Sequence, residues 1–504
     1  MTRSAEGTSS GGGDSLLVVD VGTSGVRAAV VRPDATVAHV HHRAVLPSTP
    51  APGLVEVDAT AVAAAVRETA AAARADGGPV GGVGIANQRA TTVVWDRATG
   101  APVAPGQGWQ DLRTVVTCLT LQAEGLRLAP NMSATKVAAI LDEVDPDRTR
   151  AAAGELCFGT VDSWVAWTLS GGGVHVTDPT NAAVTGLVRL GDGGWEWDPD
   201  VLSALGIPEV MLPTIVDSSG PVGEADAVAG GPPICGMAGD QQASLVGQGC
   251  TRPGLAKATF GTGGMLDLCT GRTAPTTLGR GAAGTFPIVG WQRAGVPTWG
   301  VEGVMLSAGT CVEWLRDDLG LLETAAQSTT VAAACPDTGD VWFVPALLGM
   351  GTPVWDFGAR GTLLGVTRGT GRPEVVRAVL EGVAHRGADL LEAAEADSGF
   401  TVDALRVDGG MAANEVFVTA LAEAAGRPVE VSRELEATTL GAGMLAGMAV
   451  GTWKDEDDLA AAYSPRRTVE PTGTGSQREA RRERWLAARD RAVGTIPELS
   501  GIEF

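Results

Sequence analysis

The chain has 504 residues, 44% hydrophobic and 19% charged, enough to bury a sizeable core and to divide into two domains. Its 37 Lys and Arg against 59 Asp and Glu leave a formal charge of −22, which repels phosphate backbones and anionic headgroups and argues against nucleic acid or a membrane surface as partner. Seven cysteines without a C-x-x-C pair argue against a disulfide framework or a zinc ribbon and fit a reducing cytoplasm.

Residues 1–13 are rich in Ser and Gly, lack an apolar core segment, and read as a flexible tail rather than a signal peptide, so the protein is expected to stay inside the cell. The run 16–20 ends in Asp20 and reads as a strand; the turn Gly22-Thr23-Ser24-Gly25 follows, then a returning strand over 26–31. His39, His41 and His42 lie on a further strand, with His39 and His41 on one face, and read as a solvated edge rather than a metal site. Periodicity predicts helices over 59–73 and 133–144 and strands over 82–86 and 92–95. Nearly half the chain later, 257–260, the turn Gly261-Thr262-Gly263-Gly264 and 265–269 repeat the first hairpin, which suggests a duplicated α/β domain with a cleft between the copies. Helices over 373–395 and 414–426 flank a short strand at 404–407 and the turn Asp408-Gly409-Gly410. The glycine-rich run 437–450 is too short to span a membrane, which takes about 20 apolar residues, and reads as a buried helix. The Arg-rich segment 476–493 follows a linker at 471–475 and reads as a solvated C-terminal helix on the second domain, with no site.

Two Gly-Thr turns at one cleft offer backbone N–H groups and hydroxyls without bulk, as a polyphosphate requires. Only three lysines occur and no G-x-x-x-x-G-K-[ST] exists, so a P-loop is excluded and phosphate charge falls to Mg²⁺, backbone amides and Arg27. Asp20 is the natural carboxylate for Mg²⁺, or else it caps the turn. Asp240 stands in the glycine-rich strand-to-helix turn GMAGDQQ, where a carboxylate either accepts a proton from a substrate hydroxyl or caps a helix. Asp356-Phe357-Gly358 matches a kinase triplet without its companions and is read as chance, while His175 and His385 have no evident partner.

The motifs LVVDVGTS (17–24), NQRATTVVW (87–95), WQDLRT (109–114), FGTVDSW (158–164), TDPTNA (177–182), AGDQQA (238–243) and VDGG (407–410) together resemble the FGGY carbohydrate kinases, the glycerol kinases most closely, from about residue 16 to 455. The stretch 361–381, with Gly365, Glu374 and Ala378, is similar to the family's C-terminal signature. The resemblance implies an α/β actin-like ATPase (ribonuclease H-like) fold in two duplicated domains with an interdomain cleft, divided here as 14–252 and 253–455 with a linker and helix over 456–504. It also implies ATP and Mg²⁺ as cofactors, a small polyol or sugar as acceptor, a cytoplasmic setting, and leaves a homo-oligomer open. By position, Asp20 would serve the metal; Thr23, Ser24, Arg27, Gly261 and Thr262 the phosphates; Gly309, Gly410 and Asn414 the nucleoside, with Glu313 where glycerol kinases usually have Gln. Asp240 becomes the general base, and Arg89, Trp109 and Gln241 line the acceptor pocket.

Departures from the resemblance gather in that pocket. Ala90 stands where glycerol kinases carry a Glu, Asn131 where they carry a Tyr, and Met265 where they carry a Phe. The lost carboxylate is worth about 1.5 to 3 kcal/mol per hydrogen bond. All three changes remove bulk, so the expected acceptor is larger than glycerol; a divergent glycerol kinase with compensated changes is the alternative. Ala139, in place of a common Trp, loosens the same region. A catalytically quiet sensor is a further alternative, against which Asp20, Thr23, Asp240, Thr262 and Gly410 are all present.

Overall fold

The computed structural model describes residues 13–191 and 194–502, so the tail expected over 1–13 lies, save its last residue, outside the described residues. In the first half, Leu16–Gly22, Gly25–Val31 and Val37–Ala44 form an antiparallel meander, and Gly82–Asn87 then Pro233–Gly239 extend it in parallel on the other side of Leu16–Gly22. In the second half, Ala256–Phe260, Gly264–Gly271 and Val296–Met305 form the meander, and Leu405–Asp408 then Val429–Ser432 extend it in parallel. Order and sense are the same in both, which is the duplication that the two Gly-Thr hairpins suggested. Two added strands, Ser219–Glu224 and Phe286–Arg293, meet at Ser219 and Arg293 and join the halves, and with Pro465–Val469 at one edge thirteen strands among the described residues form one mixed sheet.

Apolar stripes seal each half. The helix Ala59–Gly77 starts where Asp58 accepts the Ala61 N–H at 2.9 Å, and buries Val62, Ala63, Val66, Ala70 and Ala73 with Val161–Leu169 against the first half-sheet. The helix Arg372–Ser398, ended by Gly399 in the left-handed region, packs with Glu415–Ala425 on the second. The run 437–450 is the buried helix expected, and it lies between the halves against Asp240–Gly247. A Cβ on Gly441 or Gly247 would overlap the carbonyl oxygen of Ala243 or Ala437, so this crossing is backbone on backbone. Among the described residues no helix is long and apolar enough to cross a membrane.

The two edges of the sheet add to the expectations. The C-terminal segment is more than a linker and a solvated helix: Pro465–Val469 pairs with Val429–Ser432 as a sheet edge, and Gly475–Arg489 buries Trp485, whose Nε1 donates to Asp389 at 3.1 Å. At the opposite edge, Val37–Ala44 carries the histidines, with a bulge opposite Ala29 and a φ of 51° at His39. His41 lies 2.9 Å from Asp76 and His39 3.3 Å from Arg32.

Candidate active site

Both Gly-Thr turns sit at the tips of their hairpins. Thr23 is half-buried and Ser24 exposed; Thr23 Oγ1 accepts a hydrogen bond from Trp109 Nε1 at 3.4 Å, tying the first turn to the loop that carries Trp109. In the second turn the Gly261 carbonyl accepts from Gly309 N at 2.8 Å, and the Thr262 carbonyl accepts from Ala308 N at 2.9 Å and Thr310 Oγ1 at 2.7 Å. The helix Gly309–Asp317 thus begins on the turn, and a Cβ at 309 would stand 2.5 Å from the Gly261 oxygen, so Gly309 is required by this contact. A Cβ at Gly261 or Gly410 would meet nothing, which leaves both backbones open to close approach by a ligand.

Asp20, near the end of its strand, is buried, accepts from Thr439 Oγ1 at 3.3 Å, and is pushed up to about 7 by burial, with Arg27 opposing and Asp240 adding to the rise. Arg27, its cross-strand partner, is paired with Glu436. Among the described residues no group of three or more His, Cys, Asp or Glu could hold a metal ion. One buried acid beside a phosphate-sized turn still fits Mg²⁺, which binds through one or two carboxylates plus phosphate oxygens and water.

Asp240 opens the helix Asp240–Gly247 and its Oδ1 accepts the Gln241 N–H at 2.8 Å, so it starts the helix and also faces the cleft with its side chain 34% exposed. Burial raises its pKa, with Arg89 opposing most strongly. Arg89 Nε lies 3.7 Å from Asp240 Oδ1, while Nη2 donates to Glu302 Oε2 at 2.7 Å and Nη1, buried, has no hydrogen-bond partner. Gln241 Oε1 accepts from Lys257 Nζ at 2.7 Å, and Lys257 pairs at 2.7 Å with Asp267, both side chains fully buried. Burial pushes Asp267 up to about 7, with Lys257 opposing.

Reading the sequence missed Glu302, Lys257, Asp267, Glu436 and Thr439. Lys257 and Asp267 were recoverable, since they stand symmetrically about Thr262 and so face each other across the hairpin. Glu302 lies opposite Asp267 on a strand that no sequence signal marked.

Not every expected site residue is gathered. Met265 is half-buried between Thr259 and Val304 on the strand floor. Ala90 is buried in the left-handed region at φ 62°, its carbonyl accepting from Ser133 Oγ at 2.9 Å. Asn131 is exposed before the helix Ala134–Val144, with its carbonyl accepting from the buried Lys136 Nζ at 3.3 Å. Asn414 caps Glu415–Ala425, its Oδ1 accepting from Val416 N at 3.0 Å and its Nδ2 donating to Ser328 at 3.0 Å, so its side chain is already committed. Glu313 is exposed in the helix Gly309–Asp317. Asp356 binds the N–H groups of Gly358 and Gly494 at 2.7 Å each and is a turn anchor. His175 Nε2 lies 2.7 Å from the Phe158 carbonyl and His385 stacks on Trp485, and burial lowers their pKa values to about 4 and about 3.

Comparison with known proteins shows the family of the chain. The N-terminal domain of the FGGY family of carbohydrate kinases matches residues 15–247 and its C-terminal domain residues 256–450. A glycerol kinase of Aromatoleum aromaticum is 41% identical, covering 95% of this chain and 99% of its own. One from Bordetella parapertussis is 42% identical over 96% and 98%. Among solved structures, Plasmodium falciparum glycerol kinase with ADP superposes with a TM-score of 0.87 at 25% identity, covering 97% of this chain and 99% of that one. A xylulose kinase of Rhodospirillum rubrum shares the fold, with a TM-score of 0.79 at 23% identity and coverage of 96% and 99%. The chain therefore belongs to the FGGY family of carbohydrate kinases, phosphotransferases that act on an alcohol group.

Proposed function

We propose that the chain transfers the γ-phosphoryl group of ATP to a hydroxyl of a small polyol, with Asp240 as the base. The placement of Asp240 carries this reading: a partly exposed carboxylate at the start of a helix, 3.7 Å from Arg89 and close enough to Asp20 for their charges to interact. The acceptor oxygen attacks the γ-phosphorus as the bond to the β,γ-bridging oxygen breaks, the proton passes to Asp240, and ADP leaves. Arg89 Nη1, without a protein partner, is the donor free to hold a second acceptor hydroxyl. The open backbones at Gly261 and Gly410 would receive the nucleotide, and Arg27 would exchange Glu436 for a phosphate oxygen. Mg²⁺ would be held by Asp20 and would neutralise phosphate charge. Seven buried, unpaired cysteines support a reducing cytoplasm as the setting.

Glycerol is the first acceptor to test, because the relatives at about 41% identity bear the name glycerol kinase. A second reading, an acceptor with more than three carbons, rests on Ala90 alone, which brings no carboxylate to the loop beside Arg89. ADP release measured over glycerol, four- and five-carbon polyols and ketoses decides. A glycerol preference in kcat/KM supports the first reading; a preference of about tenfold, or about 1.4 kcal/mol, for a longer acceptor supports the second. Turnover with none of them contradicts both.

A further inference from the structure

The motif Thr177-Asp178-Pro179-Thr180-Asn181-Ala182 touches neither turn, yet it stands behind both loops of the acceptor site. Asp178 Oδ1 accepts from Thr180 Oγ1 at 2.8 Å, from Asn181 N at 3.1 Å and from Asn181 Nδ2 at 2.9 Å. With its proton given to Asp178, the Thr180 hydroxyl accepts the Gly239 N–H at 2.8 Å, and Gly239 immediately precedes Asp240. Asn181 faces Asn87 in a reciprocal amide pair: Asn87 Nδ2 donates to Asn181 Oδ1 at 2.8 Å, and Asn181 Nδ2 donates back to Asn87 Oδ1 at 3.1 Å. Asn87 ends the strand Gly82–Asn87, and the loop carrying Gln88 and Arg89 follows it directly. The second oxygen of Asp178 accepts from Ser218 Oγ at 2.6 Å, whose own oxygen accepts from Gln292 N at 3.0 Å on the joining strand Phe286–Arg293 of the second half.

Asn87, Asp178, Asn181 and Ser218 are fully buried and Thr180 nearly so, hence water cannot replace a lost bond and each removed partner orphans its mate. Asp178 is the shared acceptor, Thr180 is oriented by having its one proton already given, and Asn181 is held by two acceptors at once. The direction set at Asp178 is thereby passed to the backbone before Asp240 and to the backbone before Arg89.

We infer that Thr180 and Asn181, oriented by Asp178, are positioning residues that hold the base Asp240 and the acceptor-binding Arg89 in one frame. This rests on the proposed role of Asp240. Thr180 acts through Gly239 on the base and so governs kcat; Asn181 acts through Asn87 on Arg89 and so governs the acceptor KM. Misplacing a reacting group by about 1 Å costs about a hundredfold in rate.

The test uses the full chain, ATP and its best acceptor, with Thr180→Val, Thr180→Ser, Asn87→Ser and Asp240→Asn compared for kcat, acceptor KM and binding of a fluorescent ATP analogue. Thr180→Val is expected to lower kcat about a hundredfold, with nucleotide affinity within about twofold of the parent, and Thr180→Ser to restore turnover. Asn87→Ser, which spares the Thr180 bond, is expected to raise the acceptor KM about tenfold with a smaller change in kcat. Full activity of both Thr180→Val and Asn87→Ser overturns the inference. So does a parallel loss of turnover and nucleotide binding in both, or failure of Thr180→Ser to rescue, since these mark a purely structural network. If Thr180→Val does not fold, Asn87→Ser decides by the same KM criterion. Activity of Asp240→Asn would instead strike the proposed base, whatever the other variants do.

Discussion

Arg89 and Glu302 meet at 2.7 Å from opposite halves of the molecule, one on the loop after Gly82–Asn87 and the other on the strand Val296–Met305. An arginine of the first half is therefore aimed by a carboxylate of the second. With Ala90 at the neighbouring position supplying no carboxylate, Glu302 is the group that fixes Arg89 beside Asp240.

Glu302→Gln keeps the shape of this contact and removes its charge. A charge-assisted hydrogen bond is worth about 1.5 to 3 kcal/mol, so the acceptor KM should rise about tenfold to a hundredfold while the ATP KM stays unchanged. Steady-state kinetics with each substrate varied in turn checks this, and an equal rise in both constants would point to general damage.

Lys257 and Asp267 form a buried ion pair beside Gln241. Lys257→Met leaves Asp267 buried without its counter-charge and should cost about 3 to 5 kcal/mol; adding Asp267→Leu should recover most of that. Urea unfolding of the two single variants and the double variant measures the coupling. The double variant should remain stable and still lose acceptor affinity, because Gln241 Oε1 no longer has the Lys257 donor.

How much of this was legible follows from where the signals lie. Hairpins with Gly-Thr turns announce themselves locally, and their repetition exposed the duplicated fold; the helix over 437–450 showed in its uncharged, glycine-rich apolar run. Asp240 and Arg89 stood out because their motifs are short and contiguous. Glu302 was not, because it belongs to the site only through the pairing of Asp267 with Glu302 and through the meeting of two halves, which no local pattern encodes. A motif also leaves unsaid what its side chains are bound to: Asn131 is exposed, and Asn414 spends its side chain on capping a helix.

Asp162 is pushed from 3.8 to about 7 by burial and then by Asp178. Between these values the folded chain holds a proton that the unfolded chain has released, so stability is greatest at the acid end of that window and falls as pH rises through it. Asp162→Asn should remove about one proton from the slope of unfolding free energy against pH in this window. Urea midpoints taken from pH 4.5 to 7.5 test it, and an unchanged slope would show that Asp162 is ionised throughout.

Gly441 lies where two helices touch backbone to backbone. Gly441→Ala forces Asp240–Gly247 away from its partner helix and should destabilise by about 1 to 3 kcal/mol, with loss of kcat beyond the loss of folded protein because Asp240 rides on the displaced helix. Thermal unfolding beside activity per folded molecule separates the two effects.

Asp240→Asn tests the central claim most directly. With ATP and the best acceptor, ADP release should fall about a hundredfold to ten-thousandfold, while affinity for a fluorescent ATP analogue and the unfolding midpoint stay near those of the parent. Turnover within about threefold of the parent would show that Asp240 takes no proton in the reaction, and the base would have to be sought elsewhere in the cleft.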